Sequence, residues 1–127
     1  NNLFMAQKIL LVEDEKILAD LLEKKLKEEN YKVSIAPNGQ AGLSKMKKED
    51  FDLVLLDVLM PKKGGFEVLE EMQADPRLKK IPVIIISNSG QPVEISRALE
   101  MGARDYLVKT QFDPKEVIEK VKKTIGE

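Results

Sequence analysis

Residues 53–61, Leu-Val-Leu-Leu-Asp-Val-Leu-Met-Pro, are the stretch that decides the fold. Four consecutive apolar residues, Leu53 to Leu56, run directly into Asp57. A strand that is apolar at every position, instead of every second one, is typical of burial on both faces of a parallel sheet. A carboxylate at the end of such a strand is costly to desolvate unless it pairs with a cation or binds a metal. Asp57 is therefore the first candidate for a functional residue.

Three other apolar runs also end in polar side chains. Residues 10–12 run into Glu13 and Asp14, residues 83–86 into Ser87, and residues 106–108 into Lys109. Ligands of open parallel sheets bind beyond the carboxyl ends of the strands, where neighbouring strands bring such residues together. The pattern predicts one site for a divalent metal and a phosphoryl group.

Apolar periodicity predicts five alternating pairs of strand and helix. Strands are expected over 8–12, 33–35, 52–56, 82–87 and 105–108. Helices are expected over 16–29, over 40–48, from Phe66 to about Asp75, from Ile95 to Gly102, and from Asp113–Pro114 onward. The first helix has apolar residues at a helical period, namely Ile17, Leu18, Leu21, Leu22 and Leu26. The predicted fold is an α/β, doubly wound, five-stranded parallel sheet with five helices.

Composition narrows the class of protein. The 127 residues suit one domain, and 21 basic against 22 acidic residues give a net charge of -1. This balance gives no support for direct nucleic-acid or membrane binding by bulk attraction. No apolar run approaches the length that spans a bilayer, and no secretion signal is recognisable, so a cytoplasmic location is expected.

The chain contains no Cys and no His. Thiol nucleophiles, Ser-His-Asp triads and His-ligated zinc are therefore excluded. Any phosphoryl group that comes from a histidine must come from another molecule. The remaining oxygen ligands suit magnesium, manganese or calcium.

The chain resembles a response-regulator receiver domain from residue 8 to about residue 125. The resemblance lies in Glu13–Asp14, in Asp57 with Met60–Pro61 and Gly64–Gly65 after it, in Ser87 and in Lys109. It implies the flavodoxin-like receiver fold over residues 6–127. Residues 1–5 are expected to be a cloning remnant or a disordered tail.

The resemblance also implies roles for these residues. Asp57 would accept the phosphoryl group, and Lys109 and Ser87 would contact the phosphoryl oxygens. Mg²⁺ or Mn²⁺ would be bound by Asp14, Asp57 and the backbone carbonyl of Leu59, with Glu13 acting through a metal-bound water. The protein would then be no conventional enzyme, since it catalyses only its own aspartyl phosphorylation and dephosphorylation.

The implied partners are a sensor histidine kinase or phosphotransfer protein and an unknown output protein or domain. Ser87 and Tyr106 would form the switch, and the face formed by residues 91–125 would change on phosphorylation. The same face would mediate a weak dimer if the protein is not a monomer.

Three positions depart from the family's pattern. Thr110 follows Lys109 where proline is usual, so the Lys109–Thr110 bond is either trans with an adjusted loop or cis and held by its surroundings. Asn88 stands where a small residue is usual, and Leu59 where polar residues are frequent. The hypothesis is that Asn88 and Leu59 restrict attacking water and prolong the life of the acyl phosphate.

The same residues also fit other structural roles and other protein families. Taken singly, each residue has an ordinary structural role: a helix cap for Glu13 or Asp14, a turn for Asp57, a surface group for Ser87 or Lys109, a half-buried ring for Tyr106. A haloacid-dehalogenase-like phosphatase needs a second aspartate where Leu59 lies, and a flavodoxin-like flavin binder would meet repulsion from Glu13–Asp14. No P-loop motif is present. A degenerate receiver that acts only as a phosphorylation-independent interaction module is the alternative.

Overall fold

The computed structural model describes residues 6–110 and 113–126. Residues 1–5, predicted to be a cloning remnant or a disordered tail, lie outside the described residues. Within the described part, strands and helices alternate as the sequence predicts. They are β1 (Lys8–Val12), α1 (Lys16–Glu28), β2 (Lys32–Ala36), α2 (Gly39–Lys48), β3 (Leu53–Asp57), α3 (Gly65–Gln73), β4 (Val83–Ser87), α4 (Pro92–Glu100), β5 (Asp105–Val108) and α5 (Pro114–Ile125).

The described strands form one parallel sheet in the order β2-β1-β3-β4-β5. The chain first adds β2 on one side of β1 and then returns to add β3 on the other. This reversal makes the carboxyl ends of β1 and β3 the switch point of the sheet, where doubly wound folds bind their ligands. The register pairs Val12 with Leu56 across this point. The predicted fold class is confirmed.

Each face of the sheet is covered by its own layer of helices. One apolar cluster joins residues such as Val54 and Leu56 of β3 to α2, α3 and α4. A second joins Leu53 and Leu55 of the same strand to α1 and α5. All five residues of β3 are buried, as the unbroken apolar run predicts. Because β3 is buried on both faces, the position of Asp57 at the carboxyl end of the sheet is fixed.

Two apolar positions of the predicted α1 pattern are not in the core. Ile17 is 88% exposed and Leu21 is 38% exposed, whereas Leu22 and Leu26 are fully buried. Successive residues lie about 100° apart around an α-helix, so Ile17 and Leu21 form a stripe beside the buried one. Helical periodicity alone does not reveal where the buried stripe ends.

Helix ends follow their local chemistry. Asp113 precedes α5 and its side chain accepts a hydrogen bond from the Lys115 amide at 2.6 Å, as the predicted N-cap requires. Gly102 has a φ of 102°, the left-handed conformation predicted for the end of α4. A single 3₁₀ turn at Leu78–Lys80, which the periodicity did not predict, leads into β4. None of the helices in the described ranges is both long and apolar enough to cross a membrane.

Candidate functional site

Three carboxylates meet at the switch point of the sheet. Glu13 and Asp14 follow β1, and Asp57 is the last residue of β3. Each offers an oxygen that lies within 4.8 Å of the others. Glu13 and Asp57 are buried and Asp14 is exposed. The strand ends therefore bring together the acids that the sequence singled out.

Lys109, directly after β5, reaches across to these acids. Its Nζ lies 2.9 Å from Asp57 Oδ2 and 3.0 Å from Glu13 Oε2. Only 6% of its side chain is exposed. The amine predicted from the fifth strand is thus in contact with the acids at the ends of the third and first strands, 52 and 96 residues away in sequence.

Lys109 also contacts a third carboxylate, that of Glu15, which sequence reasoning missed. Its Oε2 lies 2.5 Å from Lys109 Nζ. Glu15 stands immediately before α1, but its side chain makes no capping hydrogen bond to that helix. In the sequence it is one of three consecutive acids, and an acid before a helix is usually a cap. Only the tertiary fold reveals that it faces the lysine.

Burial and charge shift the protonation of this cluster. Burial, together with the nearby charge of Asp57, raises the pKa of Glu13 to about 7 despite the hydrogen bonds from Glu15 and Lys109. Burial also raises the pKa of Asp57, although Lys109 opposes the shift. Burial alone would lower the pKa of Lys109, but hydrogen bonds to Glu15, Asp57 and Glu13 raise it above its ordinary value. Lys109 therefore stays protonated. The burial of Glu13 and Asp57 beside it is unfavourable to their ionised forms.

One oxygen of this cluster has no partner. Glu13 Oε2 accepts the Glu15 amide at 3.0 Å, whereas Oε1 is the one buried side-chain polar atom in residues 6–110 and 113–126 without a hydrogen bond. A buried unpaired carboxylate oxygen is unfavourable and demands a proton, a water or a cation. The donor set consists of oxygens alone, which suits a hard divalent metal.

The loop after β3 wraps closely around Asp57. The amide of Leu59 donates to Asp57 Oδ1 at 3.2 Å, while the residue as a whole is 66% exposed. A Cβ on Gly65 would lie 2.5 Å from the backbone oxygen of Asp57, so only glycine permits this approach. The loop backbone is thereby held beside the carboxylate.

Ser87 and Tyr106 lie on the neighbouring strands β4 and β5, where Ser87 pairs with Val108 and Tyr106 pairs with Ile85. Ser87 is fully buried, and its Oγ accepts the Ser89 amide at 3.1 Å. The ring of Tyr106 packs against the apolar cluster under α4, and its hydroxyl donates to the Ser89 carbonyl at 2.8 Å. Residue 89 therefore contacts both positions predicted to form the switch.

Comparison with known proteins identifies the family. Residues 9–122 match the response regulator receiver domain family. The chain belongs to this family. As a receiver domain of two-component signalling, it is not a conventional enzyme, and the resemblance inferred from the sequence is confirmed.

Solved receiver domains have the same fold along nearly their whole length. A signal receiver domain of a histidine kinase from Syntrophus aciditrophicus is 31% identical, with 94% of this chain and 90% of that chain covered and a TM-score of 0.86. Chemotaxis protein CheY4 of Vibrio cholerae is 26% identical, with 94% and 98% covered and a TM-score of 0.87. The receiver domain of a sensor histidine kinase from Pseudomonas aeruginosa is 25% identical, with 96% and 99% covered and a TM-score of 0.86. That last structure has a magnesium ion coordinated in its active-site cleft.

Three residues depart from the usual receiver pattern, namely Leu59, Asn88 and Thr110, and the structure shows where each of them lies. The Lys109–Thr110 bond is trans, since the described residues contain no cis peptide. The Lys109 amide donates to the Ser87 carbonyl at 2.6 Å, which continues the β4–β5 pairing by one residue. Asn88 and Leu59 are both exposed. The trans alternative for residue 110 therefore holds, and Lys109 still reaches Asp57.

Proposed function

We propose that this receiver domain accepts a phosphoryl group on Asp57 from a phosphohistidine of a sensor kinase or phosphotransfer protein, in a magnesium-dependent reaction. The observation that supports this most is the position of Lys109 Nζ, 2.9 Å from a buried Asp57 that shares a cluster with two further acids. Neither a helix cap nor a turn former needs a buried lysine from another strand. The chemistry would be confined to the protein's own aspartate.

The residues present fit a divalent metal. Asp14 and Asp57 would ligate Mg²⁺ or Mn²⁺ with the backbone carbonyl of Leu59, and Glu13 would act through a metal-bound water. The unpaired Glu13 Oε1 is the observation that favours a cation here. A bound divalent ion would reverse the local negative field and so allow a phosphoryl dianion to approach the acids.

The transfer step would be a displacement at phosphorus. A carboxylate oxygen of Asp57 forms the new P–O bond while the P–N bond to the donor imidazole breaks, and the imidazole nitrogen keeps the electron pair and is protonated. Lys109 would hold one phosphoryl oxygen through its charge and Ser87 would donate a hydrogen bond to another. Such catalysis is positioning and charge stabilisation.

Signal output would follow from Ser87 and Tyr106. A phosphoryl group on Asp57 would draw the Ser87 hydroxyl away from the Ser89 amide. The space that Ser87 vacates would let the ring of Tyr106, whose hydroxyl donates to the Ser89 carbonyl, turn inward. Because Tyr106 packs beneath α4, this would shift the population of conformations of the face formed by residues 91–125 toward one that binds the output partner. The same face would carry any weak dimer.

The proposal is tested by the intact mass of the protein after incubation with a small phosphodonor. One phosphoryl adduct is expected with Mg²⁺, and none with a chelator or in Asp57→Asn. Asp52→Asn is the matched control, because Asp52 directly precedes β3, at the end opposite to Asp57. Absence of an adduct on the wild-type protein with Mg²⁺ would contradict the proposal and favour the degenerate, interaction-only receiver.

A further inference from the structure

The ammonium group of Lys109 has no donor to spare. An ammonium carries three N–H donors, and three different carboxylates lie within 3.0 Å of Lys109 Nζ: those of Glu13, Asp57 and Glu15. A phosphoryl oxygen that pairs with Lys109 must therefore replace one of these acceptors. Which acceptor leaves decides how readily the lysine is recruited.

Glu15 differs from the other two acceptors in its surroundings. The side chains of Glu13 and Asp57 are 0% and 3% exposed, whereas that of Glu15 is 54% exposed. A released carboxylate on Glu15 would return to water, while a released Glu13 or Asp57 would leave a buried charge with one partner fewer. Glu15 is also outside the set of three acids whose oxygens lie together at the switch point.

We infer that Glu15 is a positioning residue that competes with the phosphoryl group for Lys109. It occupies one of the three N–H donors of the ammonium group until an incoming phosphoryl oxygen displaces it. This inference rests on the proposed function of Asp57 as the acceptor. It assigns to Glu15 a role that opposes phosphorylation, in contrast to the acids that support it.

Removing the competing charge should strengthen the binding of a phosphoryl mimic. Glu15→Gln keeps the length of the side chain but offers Lys109 only a neutral amide oxygen, and charge-assisted hydrogen bonds are about twice as strong as neutral ones. The probe is beryllium fluoride with Mg²⁺, titrated by fluorine-19 NMR, which reports binding at Asp57 without turnover. We expect binding about tenfold tighter in Glu15→Gln than in the wild-type protein.

Asp20→Asn, in the first turns of the helix that Glu15 precedes, is the matched control for the loss of one charge. The Asp20 side chain is also 54% exposed and is also paired with a lysine, at 3.0 Å from Lys16 Nζ. Among the described residues, the carboxylates that pair with Lys109 are those of Glu13, Glu15 and Asp57. We expect its affinity for beryllium fluoride to equal that of the wild-type protein. An equal gain in Asp20→Asn would assign the effect to net charge and overturn the inference.

A double-mutant cycle separates action through Lys109 from any direct effect of Glu15. In Lys109→Met, which keeps the aliphatic stem, Glu15→Gln should no longer change the affinity. A gain that persists without the lysine would overturn the inference, as would the absence of a gain in Glu15→Gln alone. If Lys109→Met does not fold, the comparison of Glu15→Gln with Asp20→Asn still decides.

The result also distinguishes this inference from the proposed function. Wild-type protein that binds beryllium fluoride, with no change in Glu15→Gln, contradicts only the role of Glu15. Wild-type protein that binds none in the presence of Mg²⁺ contradicts the phosphoacceptor role of Asp57 and overturns the inference with it.

Discussion

Glu13 carries the least favourable environment of any single residue in the site. It is 2% exposed, its pKa is raised to about 7 by burial and the nearby Asp57, and its Oε1 has no hydrogen-bond partner. Proteins retain such a group where it has a function that offsets the loss of stability. Here the proposed function is to help hold a divalent cation, with Lys109 providing the charge balance until the cation binds.

Leu59 and Asn88 flank the proposed phosphoryl position and give the first prediction. If their bulk and apolar surface restrict attacking water, Leu59→Asn and Asn88→Ala should each shorten the lifetime of the acyl phosphate by about tenfold or less, the scale on which one positioned water or contact alters a barrier. The lifetime is measured by loss of the adduct mass after the phosphodonor is removed.

The control for this prediction is Val93→Ala. Val93 is another exposed apolar residue, 71% exposed, but it lies on α4 and not beside Asp57. Its substitution should leave the lifetime unchanged. Unchanged lifetimes in both Leu59→Asn and Asn88→Ala would show that neither side chain limits water.

At the scale of elements, the loop between β3 and α3 is held by the start of α2. Lys62 and Lys63 have φ values of 49° and 80°, a left-handed conformation that non-glycine residues rarely adopt. Their carbonyls accept hydrogen bonds from Gln40 at 3.1 Å and from Gly39 at 3.2 Å. These amides belong to the first turn of α2, which has no partners for them within the helix. The helix start and the strained loop therefore stabilise each other.

The hydrogen bonds of Gly39 and Gln40 to the loop, called the clamp below, give the second prediction. A Cβ on Gly39 would lie 2.1 Å from the Lys63 backbone oxygen, so Gly39→Ala must displace the loop that carries Leu59. Because the Leu59 carbonyl is a proposed metal ligand, the affinity for Mg²⁺ should fall by about tenfold, the scale on which a lost supporting contact weakens a metal site. Titration calorimetry measures it.

Gly42→Ala is the matched control for the clamp. Its Cβ would meet the side chain of Val12 at 2.9 Å and not the loop. We expect it to lower the melting temperature while leaving the Mg²⁺ affinity near that of the wild-type protein. Equal affinities in Gly39→Ala and Gly42→Ala would contradict a positioning role for the clamp.

The elements themselves could largely be predicted from the sequence, because their signals are local. The unbroken apolar run of β3, the Asp113–Pro114 cap and the glycine after α4 each depend on neighbours a few residues away. Exposure of Ile17 could not be predicted, since it depends on how α1 is rotated against the sheet. The contact between Glu15 and Lys109 likewise spans 94 residues and has no local pattern. The left-handed backbone at Lys62 and Lys63 accompanies their hydrogen bonds to the start of α2, and no local propensity of lysine indicates it.

At the scale of the whole molecule, the acid cluster links stability to pH. The third prediction is that the metal-free protein loses stability as the pH rises from about 5 to 8. Glu13 binds its proton more tightly in the folded state, with a pKa of about 7 against 4.5 for the ordinary value, so within this window the folded state holds more protons than the unfolded state. Stability then falls with rising pH. The raised pKa of Asp57 acts in the same direction.

Calorimetric unfolding with and without Mg²⁺ checks this dependence. Saturating Mg²⁺ should raise the melting temperature more at pH 8 than at pH 6, because the cation binds the ionised acids. Glu13→Gln is the matched variant, and it should flatten the metal-free profile. A melting temperature of the metal-free wild-type protein that rises through this window would contradict the ionisation assigned to the cluster. The raised pKa of Lys109 affects stability only at higher pH, outside this window.

The most direct measurement is the chemical identity of residue 57 after phosphorylation. Borohydride converts an aspartyl phosphate to homoserine, and peptide mass spectrometry then locates the change. For protein treated with a small phosphodonor and Mg²⁺, we predict homoserine at position 57 and unchanged acids at positions 13, 14 and 15. An unmodified Asp57, or reduction at another carboxylate, would contradict the assignment of Asp57 as the phosphoacceptor.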